Sequence, residues 1–203
     1  LFYQTDTNDH GLPHDPFKAI VSPRPIAWVG TRDLQGRANL GPYSFFNAVA
    51  DQPKLVMFSS SGMKHSHDNI AATGVFTLSL VGRDLAEAMN MTSAPLKTGM
   101  SEFDFAGLTA VDGRLVDAPF VGEAYAALEC RLTEIITPKT LDDQPTPNRI
   151  IFGQVVAIHI REEGLTDGLL DMAKVRPLAR MGYLDYCDGG ETFQMRRPTV
   201  TGD

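Results

Sequence analysis

The chain has 203 residues, with 18 Lys+Arg against 25 Asp+Glu for a formal charge of −7, and it is 43% hydrophobic and 21% charged. These proportions exclude a disordered chain and suffice for one domain whose core needs neither disulfides nor a structural metal. The acidic balance argues against nucleic-acid and anionic-membrane partners, which need Lys and Arg in excess over a face, and no stretch reaches the roughly 18 apolar residues of a spanning helix.

Residues 1–18 read as an extended N-terminal arm with His10, Gly11, Pro13, His14 and Pro16. They show no charged-then-apolar leader pattern. The main domain is expected over 19–186 and a polar tail over 187–203. Strands are expected at Ile26–Thr31, Arg37–Leu40, Leu55–Ser59, Val75–Val81, Ala126–Ile136 and Arg149–Ile160. The last two are long. Leu128, Cys130 and Leu132 alternate with Glu129, Arg131 and Thr133, and glycine falls inside the final strand, as where a sheet bends into a barrel.

Helices are expected over Lys64–Thr73, ending at Gly74, over Arg83–Met91, and over 167–175, with one short turn in Glu102–Leu108. Pro138–Pro147 carries too many prolines and aspartates for a regular element. The strand–helix alternation of a nucleotide-binding α/β sheet is absent. The reading is a mainly β protein, a barrel with a few helices packed outside.

Three segments can carry chemistry. In the first, the apolar strand Leu55–Phe58 runs into Ser59, Ser60, Ser61 and Gly62 and then into a helix start bearing Lys64. A helix N-terminus offers free N–H groups and partial positive charge, and hydroxyls with an ammonium beside it would complete an anion site suited to phosphate. The competing reading is a simple helix cap with a solvated lysine. In the second, Pro23 and Pro25 flank Arg24 ahead of Trp28, the only tryptophan. This is either a charged edge beside a ring system or a core strand with a buried Trp.

In the third, Gly41 and Pro42 precede Tyr43, Ser44, Phe45, Phe46 and Asn47. Flat apolar surface next to directed hydrogen-bonding groups suits a heteroaromatic ligand; an aromatic core around a turn is the alternative. His65 and His67 have no third ligand at a recognisable spacing, so no metal site is expected. The two cysteines, Cys130 on an apolar strand face and Cys187 in the tail, form no CxxC and fit a reducing cytoplasm, the expected location.

Taken together and in order, PRPIAWVGT, NLGPYSFFN and SSSGMKHSHDNI resemble the flavin reductase-like, FMN-binding split-barrel family, the flavoredoxin-like branch included. The resemblance continues through Gly74–Leu80, Ser101–Phe103, Leu128–Cys130, Ile151–Val156 and Leu178–Gly182, about residues 19 to 186. It implies a six-stranded antiparallel split barrel, a homodimer, and FMN near the dimer interface. It also implies that Trp28, Val29, Gly30 and Thr31 lie along the flavin, and that Ser44, Phe45, Phe46 and Asn47 surround its ring. Ser59 and Ser60 would reach the ribityl chain and phosphate. Lys64, Ser66 and Asn69 match the family's Lys-Asp-Thr-x-x-Asn-Ile pattern at the phosphate-binding helix, with His65 in place of the Asp and Ser66 in place of the Thr. Arg24 and Arg180 are the further cations near the cofactor.

The activity implied is an oxidoreductase in which NAD(P)H reduces the flavin and electrons pass to an acceptor. A non-catalytic FMN electron carrier serving a partner protein, or a flavin-binding module, stands beside it. Hydride transfer itself needs no side-chain acid or base, so no catalytic residue is assigned.

Overall fold

Seven strands, antiparallel throughout, build the main sheet of the computed structural model, which describes residues 1–96 and 99–199. They are β1 (Ala27–Arg32), β2 (Ala38–Tyr43), β3 (Phe46–Asp51), β4 (Lys54–Ser61), β5 (Val75–Leu80), β6 (Ala126–Ile136) and β7 (Asn148–Ile160). Their spatial order is β2-β1-β5-β6-β7-β4-β3. The protein is mainly β, as expected, with one strand more than the six expected. The extra strand is β3, which the sequence disguises. Its residues are mostly exposed, and a register shift between Ala48 and Ala50 breaks the alternation that marks a strand.

The order of strands makes the sheet curl. β2 and β3 lie at opposite edges, yet only Ser44 and Phe45 join them. Three Cα steps span at most about 11 Å, so the edges must come nearly together without sharing a ladder. This is a barrel with a split, and the two-residue crossing sits in the split. The Ser59 amide donates to the Phe45 carbonyl at 2.8 Å, which ties the crossing to β4.

Curvature comes from irregularities within the ladders. The β6–β7 register shifts at Phe152/Gly153 and at Val155/Ala157, and each shift adds local twist. Gly153 also lets an aromatic ring lie on the backbone, since a Cβ there would stand 2.4 Å from the Phe76 ring.

Two cores form on opposite faces of β1. Ala27 and Val29 join Tyr43, Val56, Phe58, Ile70, Phe76, Leu78, Cys130 and Ile151. Strands far apart in the sheet order meet in this cluster, so it fills the concave face. Ile26 and Trp28 point the other way, into Leu40, Val81, Met89, Phe103, Val121, Ala124 and Leu178. Cys130 is core, as expected, and burial pushes its thiol up to about 12, which makes it a poor nucleophile.

Trp28 is fully buried, and its indole N–H donates to the Thr92 hydroxyl at 2.9 Å. Replacing Thr92 by Val should keep the volume, strand that buried N–H, and cost about 1–2 kcal/mol. A urea titration reads this as a lower midpoint at unchanged slope.

Helix α1 (His65–Thr73) starts one residue later than expected and closes at Gly74, whose φ of 73° is the left-handed conformation a helix C-terminus favours. The helix expected over Arg83–Met91 is a 3₁₀ turn, Arg83–Leu85, followed by α2 (Ala86–Met91). The helix expected over 167–175 is a correction. Leu165–Thr166 pairs with Leu169–Leu170 around Asp167 and Gly168, and only Met172–Val175 is helical, capped by Asp171. Asp-Gly supports a tight hairpin, with φ of 51° and 77° at its two residues, and that turn outweighs the helical spacing of the leucines. Phe17–Ile20 adds one helical turn at the end of the arm. Tyr186–Asp188 pairs with Leu178–Arg180, which in turn pairs with Arg24–Pro25. The first residues of the polar tail therefore belong to a small sheet. Among the described residues no helix is long and apolar enough to cross a membrane.

Candidate functional site

Nine of the fifteen sequence-predicted residues fall in two places: Thr31, Ser60, Lys64, Ser66 and Asn69 at the start of α1, and Arg24, Ser44, Phe45 and Arg180 at the two-residue crossing. The first is a buried polar network under the start of α1. In β2, Asn39, Gly41 and Tyr43 share one face by period-two alternation, opposite Thr31, Val29 and Ala27 of β1. Asn39 Nδ2 donates to Ser66 Oγ at 2.9 Å and to Thr31 Oγ1 at 3.2 Å, and Asn69 Nδ2 donates to Thr31 Oγ1 at 3.0 Å. Thr31, Ser60 and Ser66 are buried. The Tyr43 hydroxyl lies among the Ser66 and Ser60 hydroxyls; burial raises its pKa and those two contacts partly oppose the rise. Gly41 leaves room between Tyr43 and Ser66, each 3.6–3.7 Å from where its Cβ would be.

Lys64 stands at this network's outer edge. It is exposed, its Nζ is 5.8 Å from the Tyr43 ring centroid, and it takes part in no ion pair among the described residues. It occupies the N-cap position of α1 with extended backbone, φ −110° and ψ 165°, and no side chain caps the helix. A nine-residue helix therefore presents its first N–H groups unclaimed by any side chain, beside a free ammonium. That chemistry fits a phosphate dianion. Ser60 Oγ donates to the Gly62 carbonyl at 3.1 Å and so braces the loop leading into the helix. Ser59, one step along the strand, faces away and accepts from Asn148 Nδ2 at 3.0 Å.

The second place is a cleft of about 320 Å³ at the two-residue crossing. Pro42, Ser44 and Phe45 form one wall; Arg24, Arg180 and Lys18 contribute positive charge; Tyr183 and Tyr186 add rings. Arg24 and Arg180 stand opposite each other in the small sheet. Phe46 is half-buried and pairs with Phe58, whereas Asn47 is exposed on β3. The side chains of Trp28 and Val29 are fully buried in the two cores. Gly30 is packed against the Pro119 carbonyl and the Thr77 hydroxyl.

Asn39, Lys18 and Tyr183 are site neighbours given no role from the sequence, and Tyr43, expected as ring surface for a ligand, instead places its hydroxyl in the buried network. For Asn39 and Tyr43 a signal exists, because alternation along β2 puts both on the face that meets Thr31. Lys18 and Tyr183 come from segments remote in sequence and carry no such signal. His65 is exposed, His67 pairs with its neighbour Asp68 at 2.8 Å, and no metal-holding cluster occurs among the described residues.

The chain belongs to the flavin reductase-like family: the Flavin reductase like domain matches residues 21–178. Its fold is shared by component B of nitrilotriacetate monooxygenase from Bacillus cereus (28% identity, TM-score 0.84, 96% of this chain and 98% of that one). It is also shared by 2-nitrobenzoate 2-nitroreductase from Pseudomonas fluorescens (25%, 0.84, 100% and 99%). A third similar structure is flavoredoxin of Desulfovibrio vulgaris (26%, 0.76, 86% and 91%).

Proposed function

We propose that the protein binds FMN and acts as an NAD(P)H-dependent oxidoreductase that passes electrons on to an acceptor. The observation that carries this reading is the uncapped start of α1 beside Lys64, directly above the Thr31–Asn39–Ser66–Asn69 network. Lys64 and the α1 N–H groups would hold the phosphate. Ser66 would supply a hydroxyl contact, Ser60 braces the loop through the Gly62 carbonyl, and the network beneath holds Ser66 and Asn69 in place. Ser44 and Phe45 at the crossing would border the ring. When bound, the flavin supplies the hydride and electron chemistry.

This chain's own part is to place and charge the site. Phe45 covers apolar surface. Arg24 and Arg180 set a positive potential at the ring end, which favours electron density arriving there. A homodimer would fit the same reading: from Asn47 to Asp51 β3 is exposed although it carries Ala48, Val49 and Ala50, a surface suited to a second copy. A reducing cytoplasm is the matching location for two free cysteines.

The alternative is a flavin electron carrier for a partner protein, since a site that needs no side-chain acid or base serves either role. One experiment separates them. The protein loaded with FMN is mixed anaerobically with NADH or NADPH and flavin absorbance is followed. Bleaching within seconds is expected for the reductase. Flavin that is bleached by dithionite but not by either nicotinamide would assign the carrier. Failure of FMN to bind at all would remove both.

A further inference from the structure

The cleft at the crossing carries more positive charge than an FMN phosphate site elsewhere would require. Arg24 is 7% exposed. Its Nη1 donates to the Lys18 and Val21 carbonyls and its Nη2 to the Met181 carbonyl at 2.7 Å, while its buried Nε has no partner. Arg180 faces it across the small sheet, with its guanidinium 4.4 Å from the Tyr186 ring centroid and Nη2 donating to the Tyr183 carbonyl at 2.5 Å. Lys18 lies on the same rim and is exposed.

Among the described residues no acidic side chain lines this cleft and none of these three cations is in an ion pair. In a chain of net charge −7, that is a local concentration without compensation. Burial, and then the Arg180 charge, work against the charge on Arg24; an anion between the two arginines would offset the repulsion and favour the charged form. Tyr183 holds a left-handed backbone, φ 55°, which is uncommon for a bulky residue and marks a backbone fixed by its surroundings.

We propose that this cleft binds a small organic carboxylate on a flat ring. Two features choose that class. The unpartnered Arg24 Nε–H and the donors that Arg180 keeps beyond its bond to the Tyr183 carbonyl suit a planar carboxylate, and Phe45, Tyr183 and Tyr186 offer apolar and aromatic walls. A volume of about 320 Å³ lies at the small end of the roughly 300–1,000 Å³ of ligand sites, so it suits a single-ring acid. The position beside the ring of a bound flavin rests on the function proposed above; the anion site itself does not.

The test is calorimetric titration of the full chain with benzoate, with and without FMN, against benzamide as the neutral isostere. Benzoate is expected to bind, and benzamide to bind about tenfold or more weakly. Lys18→Met and Arg180→Gln should each raise the benzoate Kd about fivefold or more, with circular dichroism unchanged. Equal binding of benzamide, or no change in either folded variant, overturns the proposal. So does inorganic phosphate displacing benzoate at lower concentration, which would make this a phosphate subsite. Benzoate binding in a chain that does not bind FMN would leave this site standing and remove the flavin reading. FMN binding without benzoate binding would do the reverse.

Discussion

Glu129→Ala is expected to lower stability by about 3–5 kcal/mol, the largest effect of any single change considered for this fold. Glu129 is fully buried in β6 and makes no contact with water. Its carboxylate accepts from the backbone N–H groups of Arg114 at 2.8 Å, Leu115 at 2.6 Å and Val116 at 2.9 Å, and meets His159 Nε2 of β7 at 2.5 Å. One side chain thus pins the 114–116 loop to the sheet. Alanine would leave three N–H groups and an imidazole without their acceptor, each loss costing about 1–3 kcal/mol where burial persists.

Desolvation pushes the Glu129 carboxyl up, but the N–H of Arg114, the His159 ring and the two further amides together outweigh it, and its pKa falls below the ordinary 4.5. A carboxyl depressed in the fold stabilises fully above its unfolded value. That contribution shrinks as pH falls below 4.5 and is gone below the folded value. Urea midpoints from pH 7 down to pH 3 check both statements. Glu129→Ala should lower the neutral plateau, and its acid limb should be shallower than that of the parent protein. An unchanged midpoint at pH 7 would show that the loop holds without the carboxylate.

Lys64→Ala should weaken FMN binding by about 1.5–3 kcal/mol, tenfold to roughly a hundredfold in Kd. Lys64 is exposed, lies at the rim of α1 and makes no ion pair among the described residues, so its removal should leave the fold intact. Flavin fluorescence quenching measures the Kd, and riboflavin provides the control. Without a phosphate it should bind the parent and the variant alike. An unchanged FMN Kd would return Lys64 to a solvated helix cap. Equal weakening of FMN and riboflavin would place the lysine at the ring instead.

These two residues also show how far local pattern carries. Lys64 is readable as a helix-start candidate because its surroundings are local: strand, hydroxyls, glycine and helix start follow one another within a dozen residues. Glu129 is not. Alternation placed it on the polar face of β6 with Arg131 and Thr133, and Arg131 and Thr133 are indeed exposed. Glu129 is buried because a loop fifteen residues earlier and a strand thirty residues later close over it. No window along the chain contains both. Strand β3 fails in the same way: it exists because β4 pairs with it, not because its own residues favour a pleat.

The residue order alone established a mainly antiparallel β protein, its two longest strands, the helix after the serines, and the motif set of the flavin reductase-like family. Those are properties of short-range spacing, where side-chain periodicity and capping chemistry act. The folded chain decided that Tyr43 and Asn39 meet Ser66, that the two edges of the sheet meet at Ser44 and Phe45, and that Arg24 stands across from Arg180, 156 residues away, with Lys18 beside them. Only closure of the sheet brings such groups together. The charge they share depends on that closure, because like charges this close exist only where the fold holds them there.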